Sequence, residues 1–392
     1  MSVLLIHDTT LRDGEQGIGN TMSLFTKQAV LEQLDLLPLD FIELGFPASS
    51  DEDFNWIKSA ARMPLRATPV VLLRPTLHDI RKTLKATEEF ESIQYLMLGT
   101  GSELHQERKR RRSLGDLLHE IEDAITCLRT AGRENVAVIL EDASRGSPAY
   151  IQNVSVALSG LGVRSVTLAD TVGASTPGEI GALFSTVTSN GPPQVSWGVH
   201  CHDDLGLATA NTLAAVVAGA QLAHVTVGGL GERAGNCPLE EIVAVLHYKD
   251  TLPGFAGRFD LKTLHDVAER IFALLGKPIP PSKPILGQHV FSTAAGIHQN
   301  GLLKDPDVYE YVKPGDFGRE RRLIVNRLSG RSIVTSALPD VSDGVVDRFC
   351  SWLFELERDI DAIEISGYFD RFVKENVSGS DLQRTALRAE HS

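Results

Sequence analysis

Two histidines stand two residues apart at the end of an apolar run, Val195-Ser-Trp-Gly-Val-His200-Cys-His202-Asp-Asp204. The run reads as a β-strand. Side chains alternate across a strand, so His200 and His202 face the same way and Cys201 turns to the other side. Two neighbouring neutral imidazoles suit a divalent transition ion, and Asp203 and Asp204 stand where they could orient a ring. An H-x-H at a strand end is also consistent with two hydrogen-bonded polar residues, so its meaning depends on what else the chain brings to it.

Eight apolar runs succeed one another, at 3–6, 41–45, 69–73, 93–98, 136–140, 166–169, 195–199 and 224–227. Amphipathic stretches separate them, among them 27–37, 114–131 and 211–220, with apolar residues at helical spacing. Eight strand-helix units at intervals of about 30 residues are the pattern of a (β/α)8 TIM barrel, an α/β fold, here over residues 1–275. The alternative is an open doubly wound sheet. No Gly-x-Gly-x-x-Gly turn follows the first run, and eight successive units favour closure.

A barrel of this kind does its chemistry at the C-terminal ends of its strands. Those ends are polar here. The first leads into Asp8-Thr-Thr-Leu-Arg12-Asp13-Gly-Glu-Gln16, the second carries Glu43, and the third ends at Arg74. The fourth leads to His105, the fifth to Glu141-Asp-Ala-Ser-Arg145, the sixth to Asp170-Thr171 and the eighth to Gly228-Gly-Leu-Gly-Glu-Arg-Ala-Gly-Asn236. Asp13, His200, His202 and Asn236 make a mixed oxygen and nitrogen set. It suits an octahedral divalent ion (Mg, Mn or Zn) with open positions for a chelating ligand. The carboxylate and keto oxygen of a 2-oxo acid fit those positions, with the ion as Lewis acid and Arg12 stabilising an oxyanion. Blander readings stay open. Glu43 and Arg74 could be a buried ion pair, Glu141 a helix cap or a partner of Arg145, and His78, His224 and His289 ordinary polar or core histidines. The run Arg108-Lys-Arg-Arg-Arg112 is either a solvated basic face or an attractor for an anionic ligand.

Four motifs carry a resemblance: Asp-Thr-Thr-Leu-Arg-Asp-Gly-Glu-Gln at 8–16, His-Cys-His-Asp-Asp at 200–204, Gly-Leu-Gly-Glu-Arg-Ala-Gly-Asn at 229–236 and Gly-Ile-His-Gln-Asn-Gly at 296–301. Together, in this order, they resemble the isopropylmalate, homocitrate and citramalate synthase family. Those are barrel acyltransferases that condense acetyl-CoA with a 2-oxo acid and hydrolyse the thioester. The resemblance reaches to about Arg331. It implies a metal held by Asp13, His200 and His202, with Asn236 beside or on the ion and Arg12 at the keto oxygen. It implies Glu141, His298 and Tyr311 as the acid and base groups, the last two delivered from beyond the barrel by the partner subunit of a homodimer. Thr171 resembles the hydroxyl that takes the substrate carboxylate, and Arg74 resembles the third-strand arginine that supports the acid site. Glu43 and His105 complete the substrate-facing set.

The resemblance divides on the substrate. Asp13, residues 46–50 and Ser102-Glu-Leu-His105 resemble isopropylmalate synthases, whereas 141–145, 206–215 and 317–323 are closer to homocitrate synthases. His105 stands where lysine-pathway homocitrate synthases hold a distal carboxylate with arginine. Phosphonopyruvate is a further option, suggested by the basic run. Cleavage in the manner of hydroxymethylglutaryl-CoA lyase is the reverse chemistry, opposed by the Gly-Ile-His-Gln motif and the region that follows it. A non-catalytic binding barrel is opposed by the complete metal and base set.

Composition sets the bounds around this reading. The 392 residues carry a net charge of −13, which excludes general nucleic-acid or anionic-membrane partners. No apolar run approaches the roughly 20 residues that span a bilayer, and charge at His7-Asp8 comes too early for a signal peptide, so a cytoplasmic enzyme is expected. Cys127, Cys201, Cys237 and Cys350 form no C-x-x-C pair and read as reduced thiols. The proline-rich stretch 276–284 marks a boundary. Beyond it a linker subdomain at 285–331 carries His298 and Tyr311. A helical subdomain at 332–378, with helices at 344–360 and 366–376, precedes a disordered tail at 379–392. The leucine-binding domain of many isopropylmalate synthases finds no room here, so feedback by that route is not expected.

Overall fold

The computed structural model describes residues 4–249, 251–252 and 254–376, so Val3 and the expected tail at 379–392 lie outside the described residues. Strands β1 (Leu5–Asp8), β2 (Phe41–Gly45), β3 (Thr68–Leu73), β4 (Gln94–Thr100), β5 (Val136–Glu141), β6 (Ser165–Asp170), β7 (Ser196–Cys201) and β8 (Leu222–Val225) pair in chain order. All pairings are parallel, and β8 returns to β1 to close the barrel, with His7 in register with His224. Closure excludes the open sheet. Helices α1 (Leu24–Leu34), α2 (Asp51–Ala60), α3 (Leu77–Ala86), α4 (Leu114–Thr130), α5 (Pro148–Gly160), α6 (Pro177–Asn190), α7 (Ala208–Val217) and α8 (Leu239–Tyr248) follow the strands in turn. A further helix, α9 (Leu261–Leu274), packs beside α1.

Strands covered on both faces must be apolar throughout, as Val136-Ala-Val-Ile-Leu140 is, every residue buried. The helices start where a hydroxyl can take an orphan N–H: Ser23, Ser50, Thr76, Ser113, Ser147 and Thr176 each accept one from three residues on. Each such cap contributes about 1 kcal/mol. Asp116 and Glu179 complete reciprocal capping boxes.

Most strand ends shift by one or two residues from expectation, and two of the shifts bear on the site. β1 extends to Asp8 and β8 starts at Leu222, so His7 and His224 lie inside paired strands. Hydropathy ends β1 early because the His7 imidazole and the Asp8 carboxylate are buried polar groups that continue the ladder. Among the described residues no helix is long and apolar enough to cross a membrane.

The chain divides between Ile279 and Pro280 into two compact units. In the second, β10 (Arg322–Val325) pairs in parallel with β9 (Ser292–Thr293) and antiparallel with β11 (Ile360–Asp361). Its helices are α10 (Gly296–Lys304), α11 (Arg331–Ala337), α12 (Asp343–Phe354) and α13 (Ile365–Asn376). Val325, Ile333, Val346, Phe349, Leu353, Ile365 and Phe372 share one core. Sheet and core therefore cross residue 331 and join the expected linker and helical segments. α12 stops at Phe354 rather than 360, because the chain must extend again to form β11.

Candidate active site

Arg12 and Asp13 lie on a wide π-helical turn, Thr10–Gly14, that leaves the end of β1. The turn is pinned at its base. The Asp8 carboxylate accepts from the Thr10 N–H and hydroxyl at 2.9 and 3.0 Å, and Thr10 Oγ1 accepts from the Val227 N–H at 2.9 Å, joining the loops after β1 and β8. Burial raises the Asp8 carboxyl to a pKa of about 7.

Asp13 Oδ2 lies 3.5 Å from His200 Nε2 and 3.8 Å from His202 Nε2, and the two Nε2 atoms are 3.3 Å apart. Neighbouring ligands of an octahedral ion at about 2.1 Å are about 3 Å from one another, so these three atoms outline one face of such a site. Asn236 reaches the same place through an antiparallel backbone bridge to His202, and its Oδ1 is buried without a hydrogen-bond partner. The glycines of the loop after β8 make that approach possible. A Cβ on Gly231 would fall 2.1 Å from Asn236 Nδ2, and Gly235 takes φ +96°. Burial, and then the neighbouring His200, press His202 down to a pKa of about 4, so it is neutral near pH 7. Burial opposes ionisation of Asp13, but Arg12 and the two imidazoles hold it well below the usual carboxylate range. One carboxylate, imidazole nitrogens and an orphan amide oxygen are a donor set that fits a divalent ion.

Glu43, fully buried on β2, receives Arg12 as a fork, Nε to Oε1 at 2.7 Å and Nη2 to Oε2 at 3.1 Å. Arg12 Nη1 donates to Asp13 Oδ2 at 2.8 Å. The alternative of a Glu43–Arg74 ion pair is not realised. Arg74 donates instead to Asp79 at 2.7 and 2.9 Å and lies over the Phe46 ring, because Asp79 opens α3 five residues further on while Glu43 points into the barrel. Beside Glu43 lie two imidazoles that no motif marked. His7 Nε2 is 3.5 Å from Glu43 Oε2, and the His7 and His224 rings stack at 3.9 Å. His224 also meets His200 edge to face, whereas His78 and His289 are exposed. The available signal was a polar residue within each of two otherwise apolar runs.

Across the mouth, His105 stands 3.5 Å from Glu141 Oε2 and 3.6 Å from Asp142 Oδ2. Lys109, one turn on from His105 and a member of the basic run, holds both Glu141 oxygens at 2.6 and 2.7 Å. The expected Glu141–Arg145 pair is replaced accordingly, since the turn Ala143–Arg145 brings Arg145 back onto Asp142 at 2.7 Å. Thr171 Oγ1 accepts the Asp142 N–H at 2.9 Å, leaving its own proton to donate. Arg233 holds the Thr171 carbonyl at 2.7 Å and takes Asp204 at 2.7 and 2.8 Å, while Asp203 caps α7. The basic run is partly anchored, Arg110 donating to Glu120 at 2.7 Å. Cys201 and Cys237 are buried free thiols, both raised above the usual range by burial.

His298 and Tyr311 belong to the second unit. They line one cavity of about 430 Å3 with Tyr309, Glu310 and Arg321, and the His298 ring lies 4.4 Å from that of Tyr309. The rest of the Gly-Ile-His-Gln motif holds α10, the helix that carries His298. Gln299 Nε2 donates to the Thr293 and Ile324 carbonyls at 3.1 and 2.7 Å, and Gly296 packs against Gly330 where a Cβ would collide.

A closed (β/α)8 barrel with a carboxylate and two imidazoles at metal-ligand spacing in its mouth defines the class. The chain belongs to the HMGL-like family, which matches residues 4–271, and residues 285–345 match the homocitrate synthase post-HMGL domain-like family. A 2-isopropylmalate synthase of Nitratidesulfovibrio vulgaris is 37% identical over 86% of this chain and 66% of its own length. Those of Solidesulfovibrio magneticus and Xylella fastidiosa are each 36% identical, over 88% and 85% of this chain and 67% and 64% of their own. The chain thus spans about two thirds of the length of these relatives. Among solved structures, HMG-CoA lyase from Bacillus subtilis matches with TM-score 0.60 at 21% identity, over 71% of this chain and 96% of that one. The Acinetobacter baumannii HMG-CoA lyase in complex with coenzyme A and 3-methylmalate gives 0.61 at 22%, over 71% and 93%. At such identities these two establish the barrel fold alone.

Proposed function

We propose that this chain condenses acetyl-CoA with a 2-oxo acid and hydrolyses the resulting thioester. The observation that carries this reading is the Asp13–His200–His202 face with Arg12 bonded to its carboxylate. Asp13, His200, His202 and Asn236 would hold a divalent ion there, which would supply Lewis-acid polarisation of a carbonyl. The rest falls to the chain. Glu43 and Asp13 occupy three of the five Arg12 N–H groups, leaving two to meet the keto oxygen as it gains charge. The Thr171 hydroxyl donates to the substrate carboxylate. Glu141, bound at both oxygens by Lys109, keeps that ammonium and His105 in place. His298 and Tyr311, reaching a partner's barrel in a homodimer, handle protons. A base takes a methyl proton of the thioester, and the enolate carbon bonds to the keto carbon, whose oxygen becomes a hydroxyl. Water then adds to the thioester carbonyl, the C–S bond breaks, and CoA leaves as a thiol.

Because the relatives are named 2-isopropylmalate synthases, 3-methyl-2-oxobutanoate is the first candidate substrate. The basic run Arg108–Arg112 after β4 favours a second reading, an anionic keto acid such as 2-oxoglutarate or phosphonopyruvate. The lyase reading is weakened by the second unit, which matches a homocitrate synthase domain. Thiol release from acetyl-CoA with Mg or Mn, run against 3-methyl-2-oxobutanoate, 2-oxoglutarate, pyruvate and phosphonopyruvate, tests the proposal. CoA should be freed only when a keto acid is present. Production of acetyl-CoA from hydroxymethylglutaryl-CoA, with no condensation, would replace the synthase with a lyase.

A further inference from the structure

We propose that His7 is a positioning residue for Arg12, acting through Glu43. The His7 ring is fixed from both sides, stacked on His224 at 3.9 Å and on Phe41 at 5.7 Å, and it is fully buried. Its Nε2 faces the Glu43 oxygen that also receives Arg12 Nη2, at 3.5 Å, and neither ring nitrogen has a closer polar partner. At that distance the contact orients rather than bonds strongly. Even so, His7 is the group that meets the outer edge of this carboxylate, whose other contacts all come from Arg12.

The charges around His7 fix its state. Glu43 faces it with one negative charge, and Arg12, His200 and His224 stand on its other sides. Burial presses its pKa down, which favours the neutral ring, so Nε2 faces Glu43 without adding a cation beside Arg12. A second buried divalent ion on His7, Glu43 and His224 would have the opposite effect. Glu43 is already neutralised by Arg12, so such an ion would bring two uncompensated charges into the barrel. The chain of contacts therefore runs from His7 to Glu43, then Arg12, then Asp13. Its product is the direction of the two Arg12 N–H groups left for the substrate oxygen.

His7's role rests on the condensation reading for its kinetic consequence only, so the test has a second arm. His7→Phe keeps a ring between Phe41 and His224 and removes the donor, and His7→Gln returns an N–H near the Nε2 position. The measurements are kcat and KM, the Mn2+ dissociation constant, the oxalate dissociation constant of the Mn2+-loaded protein, and Tm. His7→Phe should lower kcat and weaken oxalate binding by about tenfold each. Mn2+ affinity, the KM for acetyl-CoA and Tm should hold, and His7→Gln should recover most of the loss. If no keto acid supports turnover but oxalate binding still weakens, the condensation reading fails and the positioning role stands. Unchanged oxalate affinity overturns the role. A parallel loss of Mn2+ affinity and Tm overturns it too, since that is what a purely structural residue would give.

Discussion

Arg12 and Glu43 meet as a two-point fork, 2.7 and 3.1 Å, with Glu43 fully buried and the Arg12 side chain 9% exposed. Burial opposes ionisation of Glu43, yet Arg12 and then His7 bring it to a pKa of about 2, and the same pairing raises Arg12. Glu43 therefore holds the direction of Arg12.

Glu43→Gln should be costly on two counts. Removing one partner of a buried pair destabilises by about 3–5 kcal/mol, read as a drop in the urea midpoint. With the fork broken, kcat should fall on the order of a hundredfold. Wild-type activity in a stably folded Glu43→Gln protein would show that Arg12 needs no such support.

His202→Ala deletes one of the three atoms at metal spacing and leaves the strand intact. Calorimetric titration with Mn2+ should show binding lost, with the circular dichroism spectrum unchanged. Asn236→Ala should weaken Mn2+ by about tenfold if its orphan oxygen completes the set. Full Mn2+ affinity in His202→Ala would move the ion elsewhere.

Acidification of the metal-free protein should destabilise it between pH 6.5 and about 4. Three buried imidazoles, His7, His202 and His224, have folded pKa values below the unfolded 6.5. The unfolded chain therefore binds protons first as pH falls, and stability is lost through this window, by about 3 kcal/mol for His202 alone. Asp8 works the other way, since its raised pKa of about 7 lets the folded state bind a proton first. One carboxyl offsets one imidazole of similar shift, leaving a net loss. Urea unfolding in EDTA at pH 7.5 and pH 5 checks the sign, and greater stability at pH 5 would refute it.

If His298 serves a partner's barrel, two dead variants should rescue one another. His202→Ala and His298→Ala, each inactive alone, should regain about a quarter of wild-type activity after co-refolding, because half the dimers are mixed and each holds one intact site. No recovery, despite exchange shown by differently tagged subunits, would place His298 within its own chain's site.

Much of the barrel could be read along the chain. A strand buried on both faces has to be an apolar run, and a helix lying on the barrel has to be amphipathic, so eight alternations announce eight units. The cluster of Asp13, His200 and His202 was legible for a related reason. His200 and His202 share a face by strand alternation, and Asp13 closes the first strand of a barrel whose strand ends converge. The partners of the long side chains were not legible. Arg74 takes Asp79 and Arg145 takes Asp142, each the nearest carboxylate in space, while spacing alone suggested Glu43 and Glu141.

The amino-acid order by itself determined the periodicities, the caps and the types of residue that end each strand, because these follow from local hydropathy and local hydrogen bonding. Only the closed barrel decided that His7 would lie beside His224, that Glu43 would meet Arg12, and that Lys109 would cover Glu141. Those contacts depend on the register at which β8 meets β1 and on how far each loop leans over the mouth. Such distances are set by the packing of the whole ring and have no counterpart in the spacing of residues along the chain.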